Sequence, residues 1–164
     1  IERAVLLGHS DGASISLINC GGFQDRRIIG LVLIAPHVFV EDVSISSIEK
    51  AKLEFQKGEL REKLMKYHFT NVDCAFWGWA DTWLAKDFLK WNIEEYLDGI
   101  NTPVLLIQGE DDQYGTLAQV KAIQNGIGIN CTSEIMSGCG HSPHLEKAET
   151  TLNVVKEFIK GLEF

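Results

Sequence analysis

The chain has 164 residues, enough for one domain with a single core and too few for two domains with separate cores. Apolar residues make up 45% of the chain, which supplies such a core and excludes a disordered tail. Acidic residues outnumber basic residues by 23 to 15, so the formal net charge is −8. This charge argues against nucleic acid and against an anionic membrane surface as partners.

The cysteine pattern indicates the redox compartment, and the length of the apolar runs bears on membrane association. The four cysteines form no C-x-x-C pair and have no histidine at zinc-binding spacing: Cys20, Cys74, Cys131 and Cys139. This pattern predicts buried, reduced thiols, no metal site and a cytoplasmic location. No apolar run approaches the roughly 18 residues of a membrane-spanning helix, so no membrane association is expected.

The chain begins inside a short apolar run at residues 4–7, which ends at Gly8 and predicts a strand. Because the run starts so early, we expect the chain to be the later part of a longer protein, with strands missing on its N-terminal side. Residues 12–20 carry apolar residues at helical spacing, and we expect Gly21 and Gly22 to end that helix.

Two more continuous apolar runs and one weaker strand pattern follow, at residues 31–35, 104–107 and 132–136. Runs that are apolar on both faces are typical of parallel strands covered by helices. The spacing of apolar residues also predicts a last amphipathic helix at 145–162. This alternation indicates an α/β fold with a mostly parallel sheet flanked by helices.

Residues 41–99 have helical periodicity, many charges and no convincing strand. All four tryptophans lie there, and nine of the fifteen aromatic residues fall within residues 67–96. We therefore predict an α/β core formed by residues 1–40 and 100–164, and a helical cap or lid formed by 41–99. A lid of this composition favours an apolar acyl or aromatic substrate.

The segment Gly8-His9-Ser10-Asp11-Gly12 matches G-x-S-x-G between a predicted strand and a predicted helix. In this pattern the serine occupies a strained turn, and both flanking glycines are expected to let the backbones pass. The backbone N–H of Asp11 would face a developing oxyanion at the helix N-terminus. The pattern predicts that Ser10 is a nucleophile.

A nucleophilic serine needs a base and a carboxylate that orients the base. Both follow in turns after later strands. Residues 109–112 read Gly-Glu-Asp-Asp, and residues 138–146 contain His141. The chain order serine, acid, histidine is the one associated with α/β-hydrolases.

With these three motifs the sequence resembles the C-terminal part of an α/β-hydrolase fold protein. Three turns carry the resemblance, which spans essentially the whole chain. They are the turn around Ser10 at residues 8–12 (the elbow), the turn at 109–112 (the acid turn) and the G-H-x-P-x-x-E turn at 140–146 (the histidine turn). It implies an α/β-hydrolase fold with a helical cap insertion. It also implies Ser10 as nucleophile, Asp112 as acid and His141 as base.

Other carboxylates compete with Asp112 for the role of the acid. Asp111 is the alternative within the same turn. Glu41 and Asp42 are poorer candidates, because they lie far beyond the end of the second predicted strand. We expect Glu146 to cap the final helix rather than to take part in chemistry.

The Ser-Asp-Gly elbow resembles the biphenyl-hydrolase-like and valacyclovirase branch, which implies that Asp11 recognises an amino group on the substrate. The chain carries Gly12-Ala13 where that branch tends to have two glycines. The alternative is that Asp11 only pairs with the helix dipole. The residues that we assign to substrate contacts are Asp11, His9, His37, Trp77 and Trp79.

The resemblance implies a serine hydrolase that cleaves a carboxylic ester or related acyl substrate through an acyl-enzyme, with no metal or organic cofactor. The alternative is a non-catalytic ligand-binding or scaffold protein with the same fold. The expected partner is a small acyl molecule. A second oxyanion donor would come from an upstream loop outside the chain, so we expect the chain alone to be nearly inactive. We also expect self-association through the exposed edge of the first strand.

Overall fold

The computed structural model, which describes residues 1–162, contains a parallel sheet of four strands. The strands lie side by side in chain order: β1 (Ala4–His9), β2 (Ile28–Ile34), β3 (Val104–Gly109) and β4 (Cys131–Met136). Each strand pairs in parallel with the next. The four predicted strands are therefore confirmed, with ends that differ by up to three residues. Since parallel strands end at the same edge, the turns that follow β1, β3 and β4 are brought together.

Residues 1–162 contain seven α-helices: α1 (Asp11–Phe23), α2 (Asp42–Lys57), α3 (Glu59–His68), α4 (Val72–Trp83), α5 (Leu117–Ile127), α6 (Pro143–Glu146) and α7 (Ala148–Lys160). Short 3₁₀ turns lie at Phe69–Asn71, Phe88–Lys90, Glu94–Gly99 and Gly128–Asn130. Within residues 1–162, no helix is long and apolar enough to cross a membrane.

Two helix predictions are wrong in detail. The helix expected at 145–162 is broken at Lys147, whose backbone (φ −131°, ψ 47°) separates α6 from α7. Helix α1 also continues through Gly21, where the sequence predicted a stop. A Cβ atom on Gly21 would overlap the backbone carbonyl of Tyr96, so this glycine permits close packing of the Glu94–Gly99 turn against α1.

The core lies on both faces of the sheet, because side chains along each strand alternate between the faces. On one face, α7 covers a buried cluster that consists of Val32, Ile34, Leu105, Ile107, Met136, Cys139 and Val155. Leu31, Leu33 and Leu106 alternate with these residues and are fully buried. This arrangement explains why the strand runs are apolar throughout.

The chain divides into two compact units, residues 1–39 with 92–164 and residues 40–91. Residues 92–99, which the sequence analysis assigned to the helical insertion, belong to the first unit. There the Glu94–Gly99 turn contacts α1 and α5. The second unit consists of α2 to α4 with short turns, and an aromatic cluster holds it together. The rings of Phe55 and Phe76 stack with centroids 3.8 Å apart.

All four cysteines are free. Cys20 and Cys139 are buried and Cys131 is partly buried, but Cys74 is exposed. The expectation of four buried thiols is therefore wrong for Cys74. Burial raises the pKa of Cys131 to about 11, so its thiol is protonated at neutral pH.

The outer edge of β1 provides a test of self-association, since among the described residues β2 is the only strand that pairs with β1. Leu7 lies in the middle of β1 and is 57% exposed. We expect the chain to self-associate through this edge, and Leu7→Lys to weaken association about tenfold by adding charge to an apolar contact. Sedimentation velocity at several concentrations measures this.

The matched control is Ile129→Lys, because Ile129 is 98% exposed and lies before β4, at the other end of the sheet. That variant should associate like the unaltered chain. A monomeric unaltered chain, or equal effects of the two lysines, would contradict pairing through the β1 edge.

Candidate active site

Ser10 lies in the turn between β1 and α1, in a backbone conformation that is rare for residues with a side chain. Its φ is 54° and its ψ is −124°. The Ser10 N–H donates to the carbonyl of Ile34 at 2.8 Å, and the Ser10 carbonyl accepts from Ala13 N at 2.9 Å. The sheet and the first helical turn thus hold a strained residue in place, at a conformational cost of about 1–3 kcal/mol.

The two glycines of the elbow differ in what they permit. A Cβ atom on Gly8 would overlap the carbonyl of Gly12 and lie 2.5 Å from the amide nitrogen of Ala13. A Cβ atom on Gly12 would meet no atom within 4 Å outside its own helix and its chain neighbours. The expectation that both positions must be small is correct for Gly8 and wrong for Gly12, because the open side of α1 leaves room at Gly12.

His141 connects the serine to a carboxylate from another turn. Its Nε2 lies 3.0 Å from Ser10 Oγ, and its Nδ1 lies 2.9 Å from Asp112 Oδ2. An ionised carboxylate can only accept, so Nδ1 carries a proton and donates it to Asp112. In the neutral imidazole, the Nε2 lone pair then faces Ser10 Oγ. The geometry allows His141 to take the hydroxyl proton from Ser10.

Asp112 is held by several donors besides His141. Its Oδ1 accepts the N–H of Tyr114 at 2.7 Å, and its Oδ2 accepts from Gln108 Nε2 at 2.8 Å. Burial raises the pKa of Asp112, but the hydrogen bonds from His141, Tyr114 and Gln108 outweigh burial and leave the pKa below its ordinary value. The carboxyl group is therefore ionised at neutral pH.

The alternative carboxylates differ from Asp112 in their exposure or in the compact unit to which they belong. Asp111 is exposed, and its main-chain N–H donates to the carbonyl of Cys139. Glu41 and Asp42 belong to the second unit. Among the candidate acids, the structure places Asp112 against His141, the histidine that contacts Ser10.

Three further histidines lie around His141. The Nε2 atom of His9 lies 2.8 Å from the carbonyl oxygen of His141, and the ring of His9 is 4.5 Å from that of His144. His37 is buried, with its ring 5.8 Å from that of His141. The roles of His9 and His37 in substrate binding stay predictions. In the part of the chain that the structure describes, no group of three His, Cys, Asp or Glu residues is placed to hold a metal ion.

The remaining substrate assignments also stay predictions. Asp11 is the first residue of α1, where its carboxylate lies at the positive end of the helix dipole. Trp77 and Trp79 lie on α4 in the second unit. Both rings meet Phe76 edge-on, with centroid distances of 5.3 and 5.7 Å.

Glu146 does not cap the final helix as the sequence analysis expected. It ends α6, and its carboxylate accepts the N–H of Gly140 at 2.7 Å and the N–H of Ser142 at 2.9 Å. These bonds lower the pKa of Glu146. The carboxylate thereby braces the turn on both sides of His141.

Sequence reasoning missed the roles of Gln108 and Glu146 around this site. Gln108 is 1% exposed and is the next-to-last residue of a strand that has no other polar side chain. A polar side chain in a buried strand requires a partner, and this signal could have pointed to the adjacent acid turn. The sequence gives the spacing between Glu146 and His141, but the hydrogen-bond partners of Glu146 are main-chain N–H groups, which a sequence pattern does not identify.

The strand-turn-helix serine, the buried acid and the histidine between them define a protein with α/β-hydrolase architecture. Residues 1–154 match the model of the alpha/beta hydrolase family. The chain belongs to this family, which confirms the fold that the sequence motifs implied. A search of curated proteins finds no match.

Solved structures of hydrolases share this fold at low sequence identity. A serine hydrolase involved in carbazole degradation (CarC) aligns with a TM-score of 0.73 and 16% identity, over 96% of this chain and 64% of its own. The esterase RhEst1 from Rhodococcus sp. ECU1013 aligns with a TM-score of 0.68 and 18% identity, over 99% and 67%. The meta-cleavage product hydrolase CumD aligns with a TM-score of 0.75 and 17% identity, over 98% and 66%. The chain thus spans about two thirds of the length of each.

Proposed function

We propose that this protein is a serine hydrolase that cleaves a carboxylic ester or a related acyl substrate. The observation that carries the proposal is the hydrogen-bonded series from Asp112 through His141 to Ser10, with both contacts of the imidazole at 2.9 to 3.0 Å. Membership of the alpha/beta hydrolase family and the structural similarity to a serine hydrolase and an esterase support it.

In the proposed mechanism, Ser10 Oγ attacks the acyl carbon while His141 Nε2 takes the hydroxyl proton. The carbon–oxygen π electrons move onto the carbonyl oxygen, and the N–H of Asp11 donates to that oxyanion. When the tetrahedral intermediate collapses, His141 returns the proton to the leaving alcohol and an acyl-Ser10 ester remains. Asp112 stabilises the imidazolium and holds its orientation.

Hydrolysis of the acyl-enzyme repeats these steps with water. His141 takes a proton from the water as its oxygen attacks the acyl carbon, and then protonates Ser10 Oγ as the carboxylic acid leaves. Each proton that leaves Ser10 or water is thus returned through His141. The reaction uses the side chains of the proposed triad, the N–H of Asp11, the second oxyanion donor expected from the upstream loop, and water.

A fluorophosphonate probe tests the proposal without knowledge of the natural substrate. Because we expect the chain alone to be nearly inactive, the probe is applied to the protein with its upstream strands included. We expect one covalent adduct per molecule by intact-mass spectrometry, and none on Ser10→Ala. Circular dichroism and a cooperative thermal transition establish that each sample is folded. A folded protein that forms no adduct would contradict the hydrolase and favour a non-catalytic ligand-binding or scaffold protein.

A further inference from the structure

The residue that precedes the proposed nucleophile reaches the turn that carries the proposed base. His9 ends β1, and its Nε2 lies 2.8 Å from the main-chain carbonyl oxygen of His141, 132 residues later in the chain. A carbonyl oxygen can only accept, so His9 Nε2 carries the proton and donates. This hydrogen bond connects the strand that leads into Ser10 directly to the backbone of His141.

The bond from His9 complements the other contacts that position His141. Asp112 holds Nδ1 of the ring, and Glu146 holds the N–H groups on either side of the residue. Those contacts come from the acid turn and from the histidine turn itself. His9 supplies a contact from the β1 end, so it bears directly on the separation between Ser10 and His141.

The surroundings of His9 favour its neutral form. Burial lowers the pKa of His9, the hydrogen bond with the His141 carbonyl opposes this, and the nearby rings of His141 and His144 lower it further. Asp112 acts in the opposite direction, and the pKa remains below its ordinary value. The ring of His9 lies 5.0 Å from that of His141, so a neutral His9 adds no repulsion to the imidazolium that forms in the reaction.

We propose that His9 is a positioning residue, which holds the backbone of His141 at hydrogen-bonding distance from Ser10. This inference rests on the proposed serine hydrolase function. Its role is to donate one hydrogen bond, so another side chain with a donor at the same reach should replace it. A displacement of about 1 Å at a reacting centre can cost about 10²-fold in rate.

Three variants of His9 test the proposal. Gln places an amide N–H at about the reach of imidazole Nε2, Asn has the same group one bond shorter, and Leu has no donor. We expect His9→Leu and His9→Asn to lower the second-order rate constant for fluorophosphonate labelling about 10²-fold. We expect His9→Gln to recover most of it. With p-nitrophenyl acetate as substrate, the loss should appear in kcat, with KM nearly unchanged.

Thermal unfolding of each variant separates positioning from a general loss of structure, and the Asn variant serves if the Leu variant does not fold. Labelling of the Leu and Asn variants at the rate of the unaltered protein would overturn the proposal. The proposal would also be overturned if His9→Gln lowered the labelling rate as much as His9→Leu, or if the variants had a higher KM at an unchanged kcat. If the unaltered protein is not labelled, the proposed function itself fails, and this outcome is distinct from the others.

Discussion

Asp112→Asn is expected to lower turnover of an activated ester about 10⁴-fold while the protein remains folded. The N–H groups of Tyr114 and Gly115 both face Oδ1 of Asp112, so the carbonyl oxygen of the new amide must occupy that position. The amide NH₂ group then faces His141 Nδ1. Nδ1 of His141 lies 3.0 Å from the oxygen position as well as 2.9 Å from the NH₂ position. The neutral amide no longer stabilises the imidazolium, and when its NH₂ group donates to Nδ1, His141 carries its proton on Nε2 and cannot accept the proton of Ser10.

Asp111→Asn is the matched control for this prediction, because it makes the same change one residue away on an exposed side chain. Its turnover should stay within about twofold of the unaltered protein, since an exposed substitution removes no buried contact. Stopped-flow measurement of p-nitrophenyl acetate hydrolysis compares the two. A larger loss for Asp111→Asn would assign the acid to Asp111 instead.

The same pair of variants reports on the pH dependence of stability. The pKa of Asp112 is lower in the folded protein than its ordinary value, so its ionised form stabilises the fold above about pH 4. That contribution is lost as the pH falls through the folded-state pKa. The difference in unfolding free energy between Asp111→Asn and Asp112→Asn should therefore shrink in acid.

Gly8→Ala is expected to lower the free energy of unfolding by about 3 kcal/mol, at the upper end of the usual cost of overpacking. The added methyl group would overlap the carbonyl of Gly12, and both groups are held in place by main-chain structure. Relief requires β1 and the start of α1 to separate, which would also displace Ser10. Urea unfolding followed by circular dichroism measures the loss.

Gly12→Ala adds the same methyl group four residues later in the chain, where it meets open space. Since alanine is favoured over glycine inside a helix by about 1 kcal/mol, this variant should match or exceed the stability of the unaltered protein. Similar destabilisation by both alanines would show that close packing at Gly8 is not what the elbow requires.

The sequence was sufficient for the local features of this protein. Apolar runs located β1, β2 and β3, and a weaker strand pattern located β4. The runs of β2 and β3 are continuous because a strand buried on both faces needs apolar residues at nearly every position. The pattern around Ser10 identified the strained turn because it depends on adjacent residues, chiefly Gly8. Local patterns were less informative about helix ends. Gly21 does not stop α1, because the approach of Tyr96 gives that glycine a packing role.

Only the tertiary structure decided which side chains meet. Ser10 and His141 are 131 residues apart in the chain, but Ser10 Oγ and His141 Nε2 lie 3.0 Å apart. The resemblance favoured Asp112 and left Asp111 as the alternative, and the structure shows that Asp111 is exposed whereas Asp112 is buried among donors. The bond from His9 to the His141 carbonyl involves a main-chain atom that every residue possesses. Such partners are chosen by the register of the parallel strands, which places the turns after β1, β3 and β4 at one edge.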